Sequence, residues 1–260
     1  RGVTLISAGL NAPTDIALDL VNGKMYWSEL NLDQIRRANL NGTSMETLVS
    51  AGIDSPRGIA LDVTGGKMYF TSGLDTIKRA NLNGSSVENV VIGGNVPDGV
   101  ALDIPGGKIY WVSVNHELRR ANLNGTNQEI IVPDGNPRRL ALDLVVRKVY
   151  WTVQDTDRIR RANLDGTNVE NLVTTGLSFP WGIALDLTSA DCNGNGIPDE
   201  CDIAACSDKV CVGGTNNGLA CTTDVQCPGG TCAAAAAAAC HDCNLNGIPD
   251  LCDIASATSV

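Results

Sequence analysis

One phrase, stated four times in succession, limits what this 260-residue chain can fold into more than any feature of its composition. The run 14–42, TDIALDLVNGKMYWSELNLDQIRRANLNG, carries its first statement. Leu-Asp falls at Leu18/Asp19, Leu61/Asp62, Leu102/Asp103 and Leu142/Asp143, and seven residues beyond each Asp stands Tyr26, Tyr69, Tyr110 or Tyr150. Trp27, Phe70, Trp111 or Trp151 follows the tyrosine. A basic-basic-Ala-Asn-Leu run then ends on Asn41-Gly42, Asn83-Gly84, Asn124-Gly125 or Asp165-Gly166. Successive tyrosines are 43, 41 and 40 residues apart, long enough for one four-stranded unit and too long for a leucine-rich or ankyrin repeat.

Within a unit the residues read as four short strands. The compact apolar run 16–19 suits a strand buried on both faces, and 24–27 follows it across an Asn-Gly hairpin turn. A third strand covers 34–40, Asn41-Gly42-Thr43 turns the chain again, and 46–50 closes the unit. No helical periodicity competes. Four-stranded antiparallel units at this period are the blades of an all-β propeller.

The landmarks resemble the YWTD repeats of the low-density-lipoprotein receptor class B family, in which Leu-Asp lies seven residues ahead of Tyr-Trp-Thr-Asp. The resemblance covers 4–187, with the final Asp of the motif replaced by Glu29, Ser72, Ser113 and Val153. It implies a six-bladed, non-enzymatic binding module of a cell-surface receptor or matrix protein. Complete units occupy 14–50, 57–92, 98–132 and 138–173, flanked by a lone outermost-type strand at 4–7 and a lone innermost-type strand at 182–187. Four complete blades plus two half-blade strands is the expectation for a fragment of a six-bladed ring, the remaining strands lying upstream of Arg1. Such an open arc would expose strand edges and invite self-association.

Alternating strands place the first-to-second and third-to-fourth turns on one side of the propeller. Those turns hardly change among the copies, whereas the connections on the opposite side, 28–33, 73–76, 113–117 and 153–157, vary freely. Variable loops on a constant scaffold are where binding residues accumulate. On that side, the residue after the Pro leading into each inner strand is Thr14, Arg57, Asp98, Arg138 and Trp181, a ring expected at the channel mouth. Guanidiniums, a carboxylate and an exposed aromatic suit a protein or glycan partner. The Tyr-Trp pairs read as packing between blades. Asp19, Asp62, Asp103 and Asp143 need partners, either Arg37, Arg79, Arg120 and Arg161 or nearby backbone N–H groups. The three Asn-Gly-Thr/Ser sequons read as turns.

Composition sets the domain boundary. All ten aromatics lie at or before Trp181, and all ten cysteines at or after Cys192, which divides the chain into a propeller at 1–187 and a tail at 188–260. The tail holds nine carboxylates against the single cation Lys209, most of the formal charge of −10. So localised an acidic balance opposes nucleic acid and anionic membrane as partners and favours a bound cation. An even cysteine count in an apolar-poor segment indicates disulfides and an oxidising compartment. Zinc is disfavoured, since only His116 and His241 exist and CxxC knuckles are not paired.

Loops 191–202 and 242–253 share one spacing of oxygen ligands. Asp191, Asn193, Asn195, Asp199 and Asp202, with the Ile197 carbonyl, match an EF-hand-type calcium loop whose last ligand is Asp. Asp242, Asn244, Asn246, Asp250 and Asp253, with the Ile248 carbonyl, repeat it. These loops resemble those of dockerin modules and thrombospondin type 3 repeats. Cys192 with Cys201 and Cys243 with Cys252 are candidate bridges within the loops, although spacing leaves connectivity open. The segment between is expected to be irregular, its alanine run a linker.

Taken together, the residues describe a secreted or cell-surface binding protein with calcium as cofactor and no membrane-spanning segment. Two other readings carry tests of their own. A gluconolactonase-like propeller hydrolase needs several oxygen ligands at the channel mouth, where only Asp98 is available. A dockerin-like docking module would place function in the tail.

Overall fold

The computed structural model describes residues 4–185, together with the backbone of 209–212, 220–221 and 231–234. The chain divides into two units, Arg1–Leu185 and Asp186–Val260. In the first, blade one comprises β1 (Pro13–Asp19), β2 (Lys24–Glu29), β3 (Gln34–Asn39) and β4 (Glu46–Val49). Blade two comprises β5 (Ile59–Asp62), β6 (Lys67–Ser72), β7 (Thr76–Asn81) and β8 (Glu88–Ile92). Blade three comprises β9 (Pro97–Asp103), β10 (Lys108–Ser113), β11 (Glu117–Asn122) and β12 (Glu129–Pro133). Blade four comprises β13 (Pro137–Asp143), β14 (Lys148–Val153), β15 (Arg158–Asn163) and β16 (Glu170–Val173). Every blade is a four-stranded antiparallel sheet in chain order, and β1, β5, β9 and β13 pack successively as the innermost strands. This is the all-β propeller architecture that the repeat implied. Inner strands β1, β9 and β13 begin earlier than the apolar run alone suggested, and the one helical feature among the described residues is a 3-10 turn at Leu30–Leu32.

Strand register explains why the repeat needs its landmarks. Tyr26 lies opposite Arg37 and Trp27 opposite Arg36, and the same pairing recurs at Tyr69/Arg79, Tyr110/Arg120, Trp111/Arg119 and Trp151/Arg160. The guanidiniums of Arg36, Arg119 and Arg160 lie 5.7–5.8 Å from their indole centroids, within cation–π range. Lys24, Lys67, Lys108 and Lys148 each donate to the Asn of the facing strand at 2.6–2.7 Å.

The repeated aspartates cap turns. Asp19 accepts from the Asn22 N–H, Asp62 from Gly65, Asp103 from Gly106 and Asp143 from Val146, at 2.8–3.1 Å. Of the two partner sets the sequence allowed, the backbone one is taken. Arg37, Arg79, Arg120 and Arg161 pair instead with Glu46, Glu88, Glu129 and Glu170. Asp103 also meets Arg147 at 3.0 Å, an arginine outside the repeated run.

Each core lies between blades rather than within one. Tyr26, Ile35 and Val49 of blade one pack on Ile59, Met68, Phe70 and Ala80 of blade two. Tyr69, Ile77 and Val91 meet Val100, Ile109, Trp111 and Ala121 in the same way. Tyr110, Leu118 and Val132 meet Leu140, Val149, Trp151 and Ala162. Tyrosine therefore faces the following blade and the next aromatic faces the preceding one. Arg37 and Arg120 reinforce these seams by donating to the carbonyls of Leu82 and Leu164 in the next blade, at 3.0 and 2.8 Å.

Within the first unit, the segments 4–12 and 174–185 form no paired strands, yet they follow the blade plan. A Cβ on Gly84, Gly125 or Gly166 would overlap the carbonyl of Leu48, Val90 or Ile131 from the preceding blade. A Cβ on Gly42 would overlap the carbonyl of Leu5 in the same manner, so 4–7 holds the place of a preceding outermost strand. Ser28 and Thr152 donate to the carbonyls of Arg57 and Trp181 at 2.7 and 2.9 Å, which puts 181–185 where the next inner strand would begin.

In the second unit, β17 (Lys209–Val212), β18 (Ala220–Cys221) and β19 (Thr231–Ala234) form a three-stranded antiparallel sheet ordered β18-β17-β19. Sequence reasoning expected irregular chain here. The first alanines of the linker reading belong to β19, and Cys211 stands opposite Cys232 in the ladder.

Candidate functional site

The inner strands converge on a cavity of about 300 Å³ lined by Thr14, Asp15, Ile59, Arg139, Leu140 and Trp181. Four of the five residues expected at the channel mouth are linked here. Asp98 is fully buried, with Oδ1 2.7 Å from Arg139 Nη1 and Oδ2 3.7 Å from Arg138 Nη1. Arg138 donates to Gln154 Oε1 from Nε and Nη2 at 2.9 and 2.6 Å. Its guanidinium lies 4.8 Å from the Trp181 ring centroid, and that of Arg139 lies 5.8 Å from the same ring. Trp181, 45% exposed, therefore caps a paired-arginine platform. Thr14 contributes its carbonyl to Arg139 Nη2 at 3.1 Å. Arg57 contributes its carbonyl to the hydroxyls of Thr14 and Ser28, and its side chain makes no ion pair among the described residues.

One expectation is corrected by burial. Asp98 does not offer a carboxylate to solvent at the mouth, because two guanidiniums hold it beneath the surface. The hydrolase reading needs several oxygen ligands at the channel mouth, and the single carboxylate of the expected ring, Asp98, is engaged by Arg139 and Arg138.

Arg139 and Asp15 form the part of the site that sequence reasoning missed. They occupy the inner-strand position held by Gly58, Gly99 and Gly182 in the other units. A Cβ on Gly58 or Gly99 would crowd the main chain of the next inner strand, so glycine is the structural default there. Departure from that glycine was the available signal. Asp15 Oδ2 accepts from the Ile59 N–H at 3.0 Å and lies 4.0 Å from Arg139 Nε. Arg139 thus ties blade four to blade three through Asp98 and to blade one through Thr14 and Asp15. Burial pushes the Asp15 carboxyl above its ordinary value, with Arg139 pulling in the opposite direction.

Three of the four residues that replace the motif's last Asp anchor the variable loops. Glu29 accepts from the Trp27 indole and from the Asn11 N–H, both at 2.8 Å, and Ser72 accepts from the Asp54 N–H at 3.0 Å. Ser113 donates to the Asn95 carbonyl. Such loops stand on fixed posts while their outer residues remain free to differ.

Residues 23–63, which run from the end of the first turn of blade one into the inner hairpin of blade two, match the family described as low-density lipoprotein receptor repeat class B. That stretch is similar to a class B repeat. The three later copies of its landmarks extend the same unit across the propeller. A chain in the crystal structure of a nidogen/laminin complex is similar at 26% identity and a TM-score of 0.66, over 71% of this chain and 72% of that one. Streptogramin B lyase is similar at 20% identity and a TM-score of 0.54, over 66% of this chain and 58% of that one, a likeness of fold alone. A Bacteroides thetaiotaomicron protein of unknown function shares the fold at 18% identity and a TM-score of 0.51, over 64% of this chain and 44% of that one. No curated protein matches the sequence.

The loops expected to bind calcium, 191–202 and 242–253, with Cys192, Cys201, Cys243 and Cys252, lie outside the described residues. Among the described residues, no helix is long and apolar enough to cross a membrane.

Proposed function

We propose that the class B propeller is an extracellular recognition module whose channel-mouth face binds a protein partner, by recognition and without turnover. The observation that carries this reading is Trp181, half-exposed on the guanidiniums of Arg138 and Arg139 at the rim of the inner-strand cavity. Tryptophan and arginine are the residues whose burial at an interface most often dominates its energy. Arg138 and Arg139 are already oriented by Gln154 and Asp98, so little side-chain entropy is lost when a partner covers them. The neighbour from a complex of two proteins supports a protein partner, and a glycan stacked on the indole is the second ligand class. The class of repeat and the ten cysteines support placement outside the cell or at its surface.

Each of the loops 191–202 and 242–253 binds one calcium ion through its three carboxylates, two amides and one carbonyl, a set of hard oxygens suited to that ion. The tail then acts as a calcium-stiffened spacer or anchor, with dockerin-like docking as its other use.

Arrays of purified extracellular-matrix proteins and of glycans, probed with the full chain, test the propeller reading. A hit whose affinity falls at least tenfold in Trp181→Ala and in Arg138→Ala, with unchanged melting temperature, supports it. Binding indifferent to both substitutions refutes the assignment of this face.

A further inference from the structure

The three-stranded sheet of the second unit lacks what holds the blades together. Blades bury aromatic rings against their neighbours, whereas Val210 and Val212 are the only large apolar residues in the described strands of this sheet. Three short strands need an apolar face or a covering element to be stable.

Register shows what replaces that core. β17 is central, with β18 on one side and β19 on the other. Cys211 stands directly opposite Cys232, and Lys209 stands between Cys221 and Ala234. Alternate residues of a strand belong to opposite faces of a sheet, and directly opposite residues belong to the same face. Cys211, Cys221 and Cys232, the three cysteines among the described residues, therefore share one face, and Val210 and Val212 are on the other.

We infer that Cys211 and Cys232 are joined by a disulfide that staples β17 to β19. Directly opposite residues of an antiparallel pair have Cα atoms about 4.5–5.5 Å apart. A disulfide spans about 4.4–6.8 Å between Cα atoms, so this pair is within reach. Cys221 has that relation to neither. It is diagonal to Cys211, a separation of about 7–8 Å, and two strands away from Cys232, about 9–10 Å. Both exceed the limit of about 7 Å beyond which the backbone has to move. The register thus allows a single pair among the three, and Cys221 is left for a cysteine outside the sheet.

The bridge narrows what spacing left open. With Cys192–Cys201 and Cys243–Cys252 as candidate bridges in the loops, the cysteines still to be paired become Cys206, Cys221, Cys227 and Cys240. Closing the segment 212–231 also restricts the unfolded chain, which favours the folded sheet. Both loops then hang from one covalent node. Residues 203–241 separate them along the chain, but only 203–210 lie between the bridge and the first loop and only 233–241 between it and the second.

Formation of the bridge takes one proton and one electron from each thiol, and a small-molecule or protein disulfide accepts them. One cysteine thiolate attacks the S–S bond of this carrier, the other displaces the carrier from the mixed disulfide, and the carrier leaves as two thiols.

Peptide mapping tests the pair. The reduced full chain is oxidised in vitro with glutathione disulfide, so the result does not depend on where the protein resides. It is then digested with pepsin at acid pH without reductant and sequenced by mass spectrometry. A peptide joining Cys211 to Cys232 is expected. Free-thiol titration gives a second reading: Cys211→Ser and Cys232→Ser should each expose one thiol more than the parent chain. Cys211→Ser/Cys232→Ser should expose no more than the parent, because both partners are gone, whereas Cys211→Ser/Cys221→Ser should expose two more. Cys211 or Cys232 found free, capped by glutathione or linked to any other cysteine in the oxidised parent chain overturns the inference. Two extra thiols in Cys211→Ser/Cys232→Ser, or none in Cys211→Ser/Cys221→Ser, overturn it as well. Where a variant does not fold, the map of the parent chain decides.

Discussion

Asp98→Asn isolates the charge network that joins three blades at the axis. The carboxylate is fully buried, with Arg139 at 2.7 Å and Arg138 at 3.7 Å, and its Oδ2 has no hydrogen bond. Removing one member of a buried ion pair typically costs about 3–5 kcal/mol, because the remaining charge is left in a poor dielectric. Two features reduce that figure here. Arg139 keeps the Thr14 carbonyl at 3.1 Å and Asp15 at 4.0 Å, and the substituting amide retains an oxygen for it. The expected loss is therefore about 2–3 kcal/mol, the range of a hydrogen bond to a charged group. For a unit of this size each kcal/mol lowers the melting temperature by about 2–4 °C, so the midpoint should fall by about 4–12 °C. Urea titration and thermal melts of the full chain measure both quantities. Asp98→Asn/Arg139→Met should recover most of the loss, since replacing a whole buried pair by apolar atoms is often neutral. A single variant within about 0.5 kcal/mol of the parent chain would refute the reasoning, as surface substitutions ordinarily fall in that range. A double variant less stable than the single one would also refute it.

Three further outcomes follow from particular residues. Gly125→Ala should cost at least twice as much as Gly107→Ala in denaturant titrations. Both glycines have positive φ, at 82° and 65°, but only the first Cβ would strike main chain, at Val90. The second carries just the left-handed backbone term of about 1–2 kcal/mol. Asp15 titrates above 3.8 in the fold because of its burial, against the pull of Arg139, so the native state binds this proton more tightly than the unfolded chain does. Its contribution to stability is complete below 3.8 and is lost as pH rises through the raised folded value. Asp15→Asn should remove that dependence, and its stability relative to the parent chain should climb over the same window and then level off. Calorimetric titration of the full chain should detect two calcium sites, with Asp199→Ala and Asp250→Ala each removing one; an unchanged stoichiometry in either variant would count against that loop.

Blade number, strand order and the interface role of the aromatics were legible because they rest on periodicity. Tyr26 and Trp27 point to opposite faces of β2, so any stack of such sheets must bury one against each neighbour. Variable loops and the register of Thr14, Arg57, Asp98, Arg138 and Trp181 were legible for the same reason, as positions counted from Leu-Asp and Tyr. The antiparallel sheet at 209–234 was not, since it lacks both alternation and aromatics.

By itself, then, the sequence determined the repeating unit, because every copy must solve the same local problem of pairing four strands and covering two faces. Tertiary structure alone decided which charges meet at the axis. Arg139 lies 125 residues from the Thr14 carbonyl it reaches and 41 from Asp98. Residues so far apart share no periodic constraint, and only the convergence of four inner strands brings them within hydrogen-bond distance. The same convergence took Asp98 out of solvent and left Trp181 as the exposed cap, a distinction of depth that a register count does not contain.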